Sequence, residues 1–132
     1  MTEAEIRARL DALADESREL YDRLDALVRE RIFRETGFKP GDRVLTWRPG
    51  NGPDPRFVIG VRYVVADAWE CGEGGPAYLT FNRSPGASFA PYARVEDVAR
   101  TVEELNVILA RQFPDRGLRA AYVVEGPGGG VL

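Results

Sequence analysis

The residues with the most reactive side chains lie close together near the middle of the chain, at positions 67–73. Asp67, Glu70 and Glu73 are carboxylates, and a pair of carboxylates can act as general acid and general base. A cysteine attacks only as a thiolate, which a nearby positive charge favours and the glutamates on either side of Cys71 disfavour. We therefore interpret Cys71 as structural, and an enzyme based on the three carboxylates is the least favoured of three functions.

The composition excludes the commoner kinds of catalytic and metal site. The chain has no histidine and one cysteine, so it cannot form a Ser-His or Cys-His nucleophile, an imidazole metal site or an intrachain disulfide. The single lysine, Lys39, stands before Pro40, and no phosphate-loop motif is present. We predict no catalytic residues, no metal and no cofactor.

A basic and aromatic segment occupies residues 37–66, where five basic side chains stand against two acidic ones. Such a surface suits nucleic acid or an acidic protein, although a chain of pI about 5.1 is a poor nonspecific DNA binder. The alternative is that the aromatic residues face the core and the arginines face solvent. Arg43 and Trp47 have the same parity along a strand, so we expect them to be exposed together. The candidate residues are Arg43, Trp47, Arg48, Arg56 and Arg62.

The most specific pattern is a stripe of apolar residues spaced by three and four near the start of the chain. This spacing, kept over about three heptads, is typical of a helix that pairs with another helix. The partner would be a second copy or another protein, and the alternative is that the stripe packs on its own barrel. We call this set the leucine stripe: Ile6, Leu10, Leu13, Leu20, Leu24 and Leu27.

The leucine stripe belongs to one long amphipathic helix, predicted over residues 1–36. Thr2 and Glu5 form a capping box at its start, and Gly37 ends it. At 1.5 Å per residue the helix is about 50 Å long, whereas the remaining hundred residues form a body about 26 Å across. The helix must therefore project beyond the body or break, and residues 15–17 are its weakest point.

The pattern changes to strand-like alternation after Gly37, and Gly60 can permit a bend or bulge in the longest strand. The stretch G-F-K-P-G-D-R-V at residues 37–44, followed by a bent strand and two short hairpins, resembles the opening of small Tudor-like or KOW-like barrels. The resemblance implies a small bent β-barrel or sheet and, by itself, no function. We predict strands at 43–48, 57–66 and 77–82, an irregular loop at 83–92, and a short strand or 3₁₀ turn at 95–98.

A second helix is predicted from Thr101, which caps it with Glu104, to Phe113, where Pro114 stops it. Its expected buried face consists of Val102, Leu105, Ile108 and Leu109. A last strand follows at 118–125, and the glycine-rich residues 126–132 are expected to be a flexible tail. The order of elements predicts a single α+β domain, with the helix 1–36, a barrel or sheet 37–99, and the helix and strand 100–125.

The first thirty residues carry charges throughout, and no apolar run is long enough to cross a bilayer. We therefore expect a cytoplasmic protein without a membrane partner. The favoured function is a non-enzymatic interaction module, such as an adaptor, an assembly subunit or an inhibitor, acting through the leucine stripe and an exposed barrel edge. The size and composition suggest a bacteriophage or mobile-element origin. The alternative function is nucleic-acid binding through the basic segment 37–66.

Overall fold

The computed structural model describes residues 1–50 and 52–126. The chain folds as a long helix, a curled half-barrel sheet, and a second helix followed by a last strand, which confirms the predicted α+β class. A 3₁₀ turn, Val95–Asp97, precedes the second helix. The elements are α1 Glu3–Thr36, β1 Arg43–Pro49, β2 Phe57–Glu70, β3 Ala77–Phe81, β4 Tyr92–Arg94, α2 Val102–Gln112 and β5 Arg119–Glu125.

α1 is a single unbroken helix of 34 residues. The hydroxyl of Thr2 accepts a hydrogen bond from the Glu5 amide at 3.1 Å, as the capping box requires. Gly37 ends the helix at φ 76° and donates its N–H to the Phe33 carbonyl. The helix does not break at residues 15–17, because no glycine or proline interrupts it. Its length is accommodated by projection, with only its C-terminal end contributing to the core.

β2 is the central strand of the sheet. β1 runs antiparallel to its first half, with Arg43 opposite Val64, and β5 runs parallel to the same half. β3 runs antiparallel to the second half, and β4 pairs with β3. The carbonyls of Arg62 and Val64 accept hydrogen bonds from the amides of Gly126 and Asn82. β5 and β3 therefore follow one another along one edge of β2, opposite β1.

The bulge in β2 lies at Ala66, where the register with β3 shifts between Val65 and Asp67. Gly60 itself stands in register with both Trp47 and Val123, and the nearest irregularity is the register shift against β5 between Val58 and Ile59. The bulge of β2 against β3 therefore does not lie at Gly60, and a bend there stays a prediction. A β-carbon at Gly60 would lie 3.2 Å from Cγ2 of Val123. A larger residue there would make the Val123 side chain move by a few tenths of an ångström, so glycine suits the close packing of these strands.

The sheet is covered on both faces, as two neighbouring residues of β1 show. Val44 and Leu45 are both buried, and their side chains point to opposite faces. On the Val44 side, the C-terminal end of α1 contributes to a core of Ile32, Phe38, Val44, Val65, Ala68, Leu79, Phe81 and Val98. On the Leu45 side, α2 covers a core of Leu45, Val58, Ala99, Leu105, Leu109 and Leu118.

α2 has the buried face that the sequence predicts. Leu105 and Leu109 are fully buried, and Val102 and Ile108 pack partly against the same core. Thr101 accepts a hydrogen bond from the Glu104 amide, which completes the expected cap. The side-chain carbonyl of Asn106 accepts a hydrogen bond from the Ala120 amide at 2.9 Å, so α2 also satisfies a donor on the outer edge of β5.

Several boundaries differ from the prediction, most of all the end of β2, which continues to Glu70 instead of stopping at residue 66. Tyr92, expected at the end of an irregular loop, begins the short strand β4, because it pairs with Thr80 of β3. Of the two alternatives for residues 95–98, the 3₁₀ turn is the one observed. Residues 127–132 of the predicted tail lie outside the described residues, and Gly126 is bonded to the sheet.

The core on the α2 side can be tested with one buried and one exposed residue of the same helix. Leu105→Ala should lower the free energy of unfolding by about 2–5 kcal/mol, because it removes a fully buried side chain and leaves a cavity. Val107→Ala, at a position that is 55% exposed, should change it by less than about 0.5 kcal/mol. Urea titrations followed by tryptophan fluorescence measure both, and equal effects would contradict the described packing.

Candidate functional site

The leucine stripe is open to solvent along its whole length. Its six side chains are between 45% and 63% exposed, which is unusual for large apolar residues placed on one face of a helix. Tyr21, beside the stripe, is 65% exposed. The alternative that the stripe packs against its own barrel is therefore wrong for these six residues.

An open groove of about 840 Å³ lies beside the C-terminal end of the stripe, between α1 and the end of β2. One wall is helical and includes the last two stripe residues. The other wall is formed by the end of β2 and the turn that follows it. The groove-lining residues on α1 include Leu24, Leu27, Arg31 and Arg34, and those on the sheet side include Asp67, Trp69, Glu70 and Glu73.

Two ion pairs connect the walls of the groove. Arg29 donates a hydrogen bond to Asp67, and Arg31 donates one to Glu70 at 2.7 Å. Partial burial raises the pKa of the Asp67 carboxyl, but the hydrogen bonds from Arg29 and the Ala68 amide outweigh it and hold the pKa below its ordinary value of 3.8. The hydrogen bond from Arg31 likewise holds the pKa of Glu70 below its ordinary value of 4.5.

These pKa shifts bear on the enzyme hypothesis, since the groove does bring Asp67, Glu70 and Glu73 together. A general acid at neutral pH needs a raised pKa, whereas the pKa values of Asp67 and Glu70 are lowered. The ion pairs of Asp67 with Arg29 and of Glu70 with Arg31 therefore suit a structural role better than proton transfer. They hold α1 at a fixed angle on the sheet. Cys71 is exposed at the turn beside this groove.

The basic and aromatic candidates do not form one surface. Arg43 donates to both carboxylate oxygens of Glu125 at 2.9 Å, and Arg62 lies 3.5 Å from the same carboxylate. Trp47 packs edge-on against Phe113 at 5.5 Å between ring centroids. The expected joint exposure of Arg43 and Trp47 is therefore wrong, because the end of α2 covers the indole.

The remaining two arginines lie near the opposite end of the β1–β2 pair. Arg56 binds Asp54 through its side chain and its amide, and these bonds lower the pKa of Asp54 to about 2. Arg48 is exposed on β1. Three of the four candidate arginines thus neutralise carboxylates of their own chain.

An aromatic face that no sequence pattern predicted lies on the outside of β2, β3 and β4. The rings of Trp69 and Tyr78 stack with centroids 4.3 Å apart, and Tyr92 meets both edge-on. Tyr92 is 63% exposed, and Trp69, whose indole N–H donates to Thr80, is 37% exposed. The alternation within residues 77–81 was a usable signal, but only the pairing with β2 and β4 brings the three rings together.

Trp69 belongs both to this aromatic face and to the groove. The groove thus shares Leu24 and Leu27 with the leucine stripe and Trp69 with the aromatic face, and we call the three features together the stripe surface. In residues 1–50 and 52–126, no three metal-ligating side chains are grouped so as to hold an ion. No helix within the same ranges combines the length and the apolar character needed to span a membrane.

Comparisons of the chain with protein-family models, curated proteins and solved structures found no match. The likeness to Tudor-like and KOW-like barrels thus remains one of sequence pattern.

The two ion pairs of the groove predict a dependence of stability on pH. Because the pKa values of Asp67 and Glu70 are lowered by folding, their contribution is complete above the pKa values of the unfolded chain and is lost as pH falls through the folded ones. The free energy of unfolding should therefore fall as the pH drops below about 4.5, and should fall less in the double variant Asp67→Asn with Glu70→Gln.

Urea titrations at a series of pH values measure this difference. Asp11→Asn with Asp22→Asn is the matched control, since both residues are exposed on α1 and make no hydrogen bond to the sheet. An acid response that is the same in the groove variant and in the wild type would show that the two ion pairs do not contribute.

Proposed function

We propose that this protein is a non-enzymatic interaction module that binds another protein through the stripe surface. The observation that carries the proposal is the exposure of all six apolar residues of the leucine stripe. Contiguous exposed apolar surface of this kind marks interaction sites in soluble proteins. An adaptor, an assembly subunit and an inhibitor all act through such a surface.

The energetics favour a partner that covers the stripe. Complete burial of one leucine or isoleucine contributes about 1.5–3 kcal/mol, and each stripe residue retains roughly half of its surface for a partner to cover. The projecting part of α1 also lacks the tertiary packing from which helices in proteins gain most of their stability. A second helix laid along the stripe supplies both apolar cover and support.

The aromatic face extends the surface beyond α1. Tyrosine and tryptophan are enriched among the residues that dominate protein interfaces, and Trp69 and Tyr92 are both exposed here. They lie at the β3–β4 side of the sheet, where β4 is a short strand of three residues. This region is our candidate for the exposed barrel edge, which would contact the part of the partner that extends past the groove.

The alternative of nucleic-acid binding through residues 37–66 is less well supported. Affinity for phosphate backbones comes from arginines and lysines that are free to release counterions. Arg43, Arg56 and Arg62 instead pair with Glu125 and Asp54. The net charge of −3 further opposes association with a polyanion.

The proposal predicts that two aspartates in the stripe abolish binding without unfolding the body. Leu13→Asp with Leu20→Asp places charges at the centre of the apolar surface and should weaken any complex by at least about 100-fold, since each buried charge costs more than 1.4 kcal/mol. The wild-type and variant chains serve as baits in the organism that encodes the protein. Each companion is identified by mass spectrometry and then titrated against both chains as purified protein.

The matched control is Ala12→Asp with Ala26→Asp, which adds the same charge at exposed positions of α1 away from the stripe. The control should keep the affinity of the wild type, and circular dichroism should show folded protein in all three samples. If the stripe variant binds every purified companion, its own copy included, as tightly as the wild type does, the proposed function is wrong.

A further inference from the structure

The charges beside the leucine stripe alternate in sign. In the heptad notation of a coiled coil, Leu10, Ser17 and Leu24 occupy a positions, and Ile6, Leu13, Leu20 and Leu27 occupy d positions. The g positions, which precede each a residue along one side of the stripe, are Arg9, Glu16, Arg23 and Glu30. The e positions on the other side are Arg7, Ala14, Tyr21 and Val28.

A parallel pair of α1 helices would gain nothing from these charges. In that arrangement each g residue faces the following e residue of the other helix. Arg9 would face alanine, Glu16 tyrosine and Arg23 valine, while Glu30 would face Glu35.

An antiparallel pair uses all of the g charges. There, g residues face g residues, and a residues pack against d residues. When Leu10 of one copy lies against Leu27 of the other, Arg9 faces Glu30 and Glu16 faces Arg23, and the symmetry repeats both pairs. A shift of one heptad in either direction sets arginine against arginine and glutamate against glutamate. The sign pattern thus selects one orientation and one register.

The same register also fits the shapes of the side chains. Ser17 lies against Leu20 of the other copy instead of against a second serine, and Ala14 lies against Tyr21. The two Ser17 residues therefore do not meet across the seam, and neither do the two Ala14 residues. The e side pairs a small residue with a large one, as close packing requires.

The groove fits the end of such a helix. In this register, Leu10 and Ile6 of the second copy lie beside Leu27 and Arg31, which line the groove. The charge of Arg31 is already compensated by Glu70, so an isoleucine can approach it. Arg7 of the second copy would face Val28, which also lines the groove.

We propose that the partner on the leucine stripe is a second copy of this chain, bound with α1 antiparallel to α1 and Leu10 against Leu27. This rests on the proposed function, because it names the occupant of the same surface. The two folded bodies then lie at opposite ends of a two-helix rod. Each body receives the first turns of the other chain's α1 in its groove.

The mass in solution is the first test. Sedimentation equilibrium of the full chain should give twice the 14.7 kDa of one chain, and Leu13→Asp with Leu20→Asp should give a single chain. A wild-type protein that stays at the mass of one chain up to millimolar concentration overturns the proposal.

Cross-linking tests the orientation while every stripe residue is kept. Arg9→Cys and Glu30→Cys are placed in separate chains, both with Cys71→Ser, and treated with a short bis-maleimide. Only the mixture should cross-link, because two copies of residue 9 lie about 28 Å apart in the antiparallel pair. Efficient cross-linking of each variant with itself, and none in the mixture, shows a parallel pair and overturns the proposal.

Charge exchange tests the g–g contacts of the antiparallel orientation. One chain carries Arg9→Glu with Arg23→Glu, and the other carries Glu16→Arg with Glu30→Arg. Each alone should dimerise at least about tenfold more weakly than the wild type, and an equimolar mixture should recover a 1:1 dimer, since all its g pairs are attractive. A mixture no tighter than the separate chains contradicts the antiparallel orientation.

The failure of this proposal is distinguishable from the failure of the proposed function. A monomeric wild type that binds a different purified protein through the stripe overturns the second copy as occupant and leaves the proposed function standing. Both proposals fail if Leu13→Asp with Leu20→Asp changes neither the mass of the protein in solution nor its affinity for any purified companion.

Discussion

The burial of Ile32 beneath the sheet determines how the rest of α1 is presented. Ile32 is 2% exposed. No glycine or proline interrupts the helix that carries it within residues 3–36. Fixing one residue of a rigid helix fixes the direction of every other side chain on it. The leucine stripe occupies a different face from Ile32, so docking of the helix end turns the stripe away from the body.

The ion pairs of Arg29 and Arg31 hold the same end of α1 against the sheet. They tie the last turns of α1 to Asp67 and Glu70 on the second half of β2, beyond the part that pairs with β1. Two arginines of α1 and three of the segment 37–66 thus have carboxylate partners within the chain. Arg43 and Arg62 share the carboxylate of Glu125 on β5, and Arg56 pairs with Asp54 within its own turn, so these three arginines do not form one free basic surface.

The two cores stabilise the sheet, and neither contains a residue of the leucine stripe. α2 covers one face of the sheet with Leu105 and Leu109, and the end of α1 together with Phe38 covers the other. The sheet therefore needs no further contribution from the first two-thirds of α1. Apolar residues that a fold does not need for its own core are available for association, and their spacing and flanking charges then decide what they can pair with.

The elements whose signals are local follow from the amino-acid pattern alone. The capping boxes at Thr2 and Thr101, the stop at Gly37 and the alternation in β1 and β2 each depend on residues within a few positions, and the fold class follows from their order. The exposure of the stripe could be anticipated only as a consequence of length. The remaining features depend on the tertiary structure. They are the groove, the bulge at Ala66, the aromatic face, and the ion pairs Arg29–Asp67 and Arg43–Glu125, whose partners are 38 and 82 positions apart in the chain. Each of these depends on which strand lies beside which, and pairing between segments distant in sequence is set by the packing of the whole domain, which no local pattern encodes.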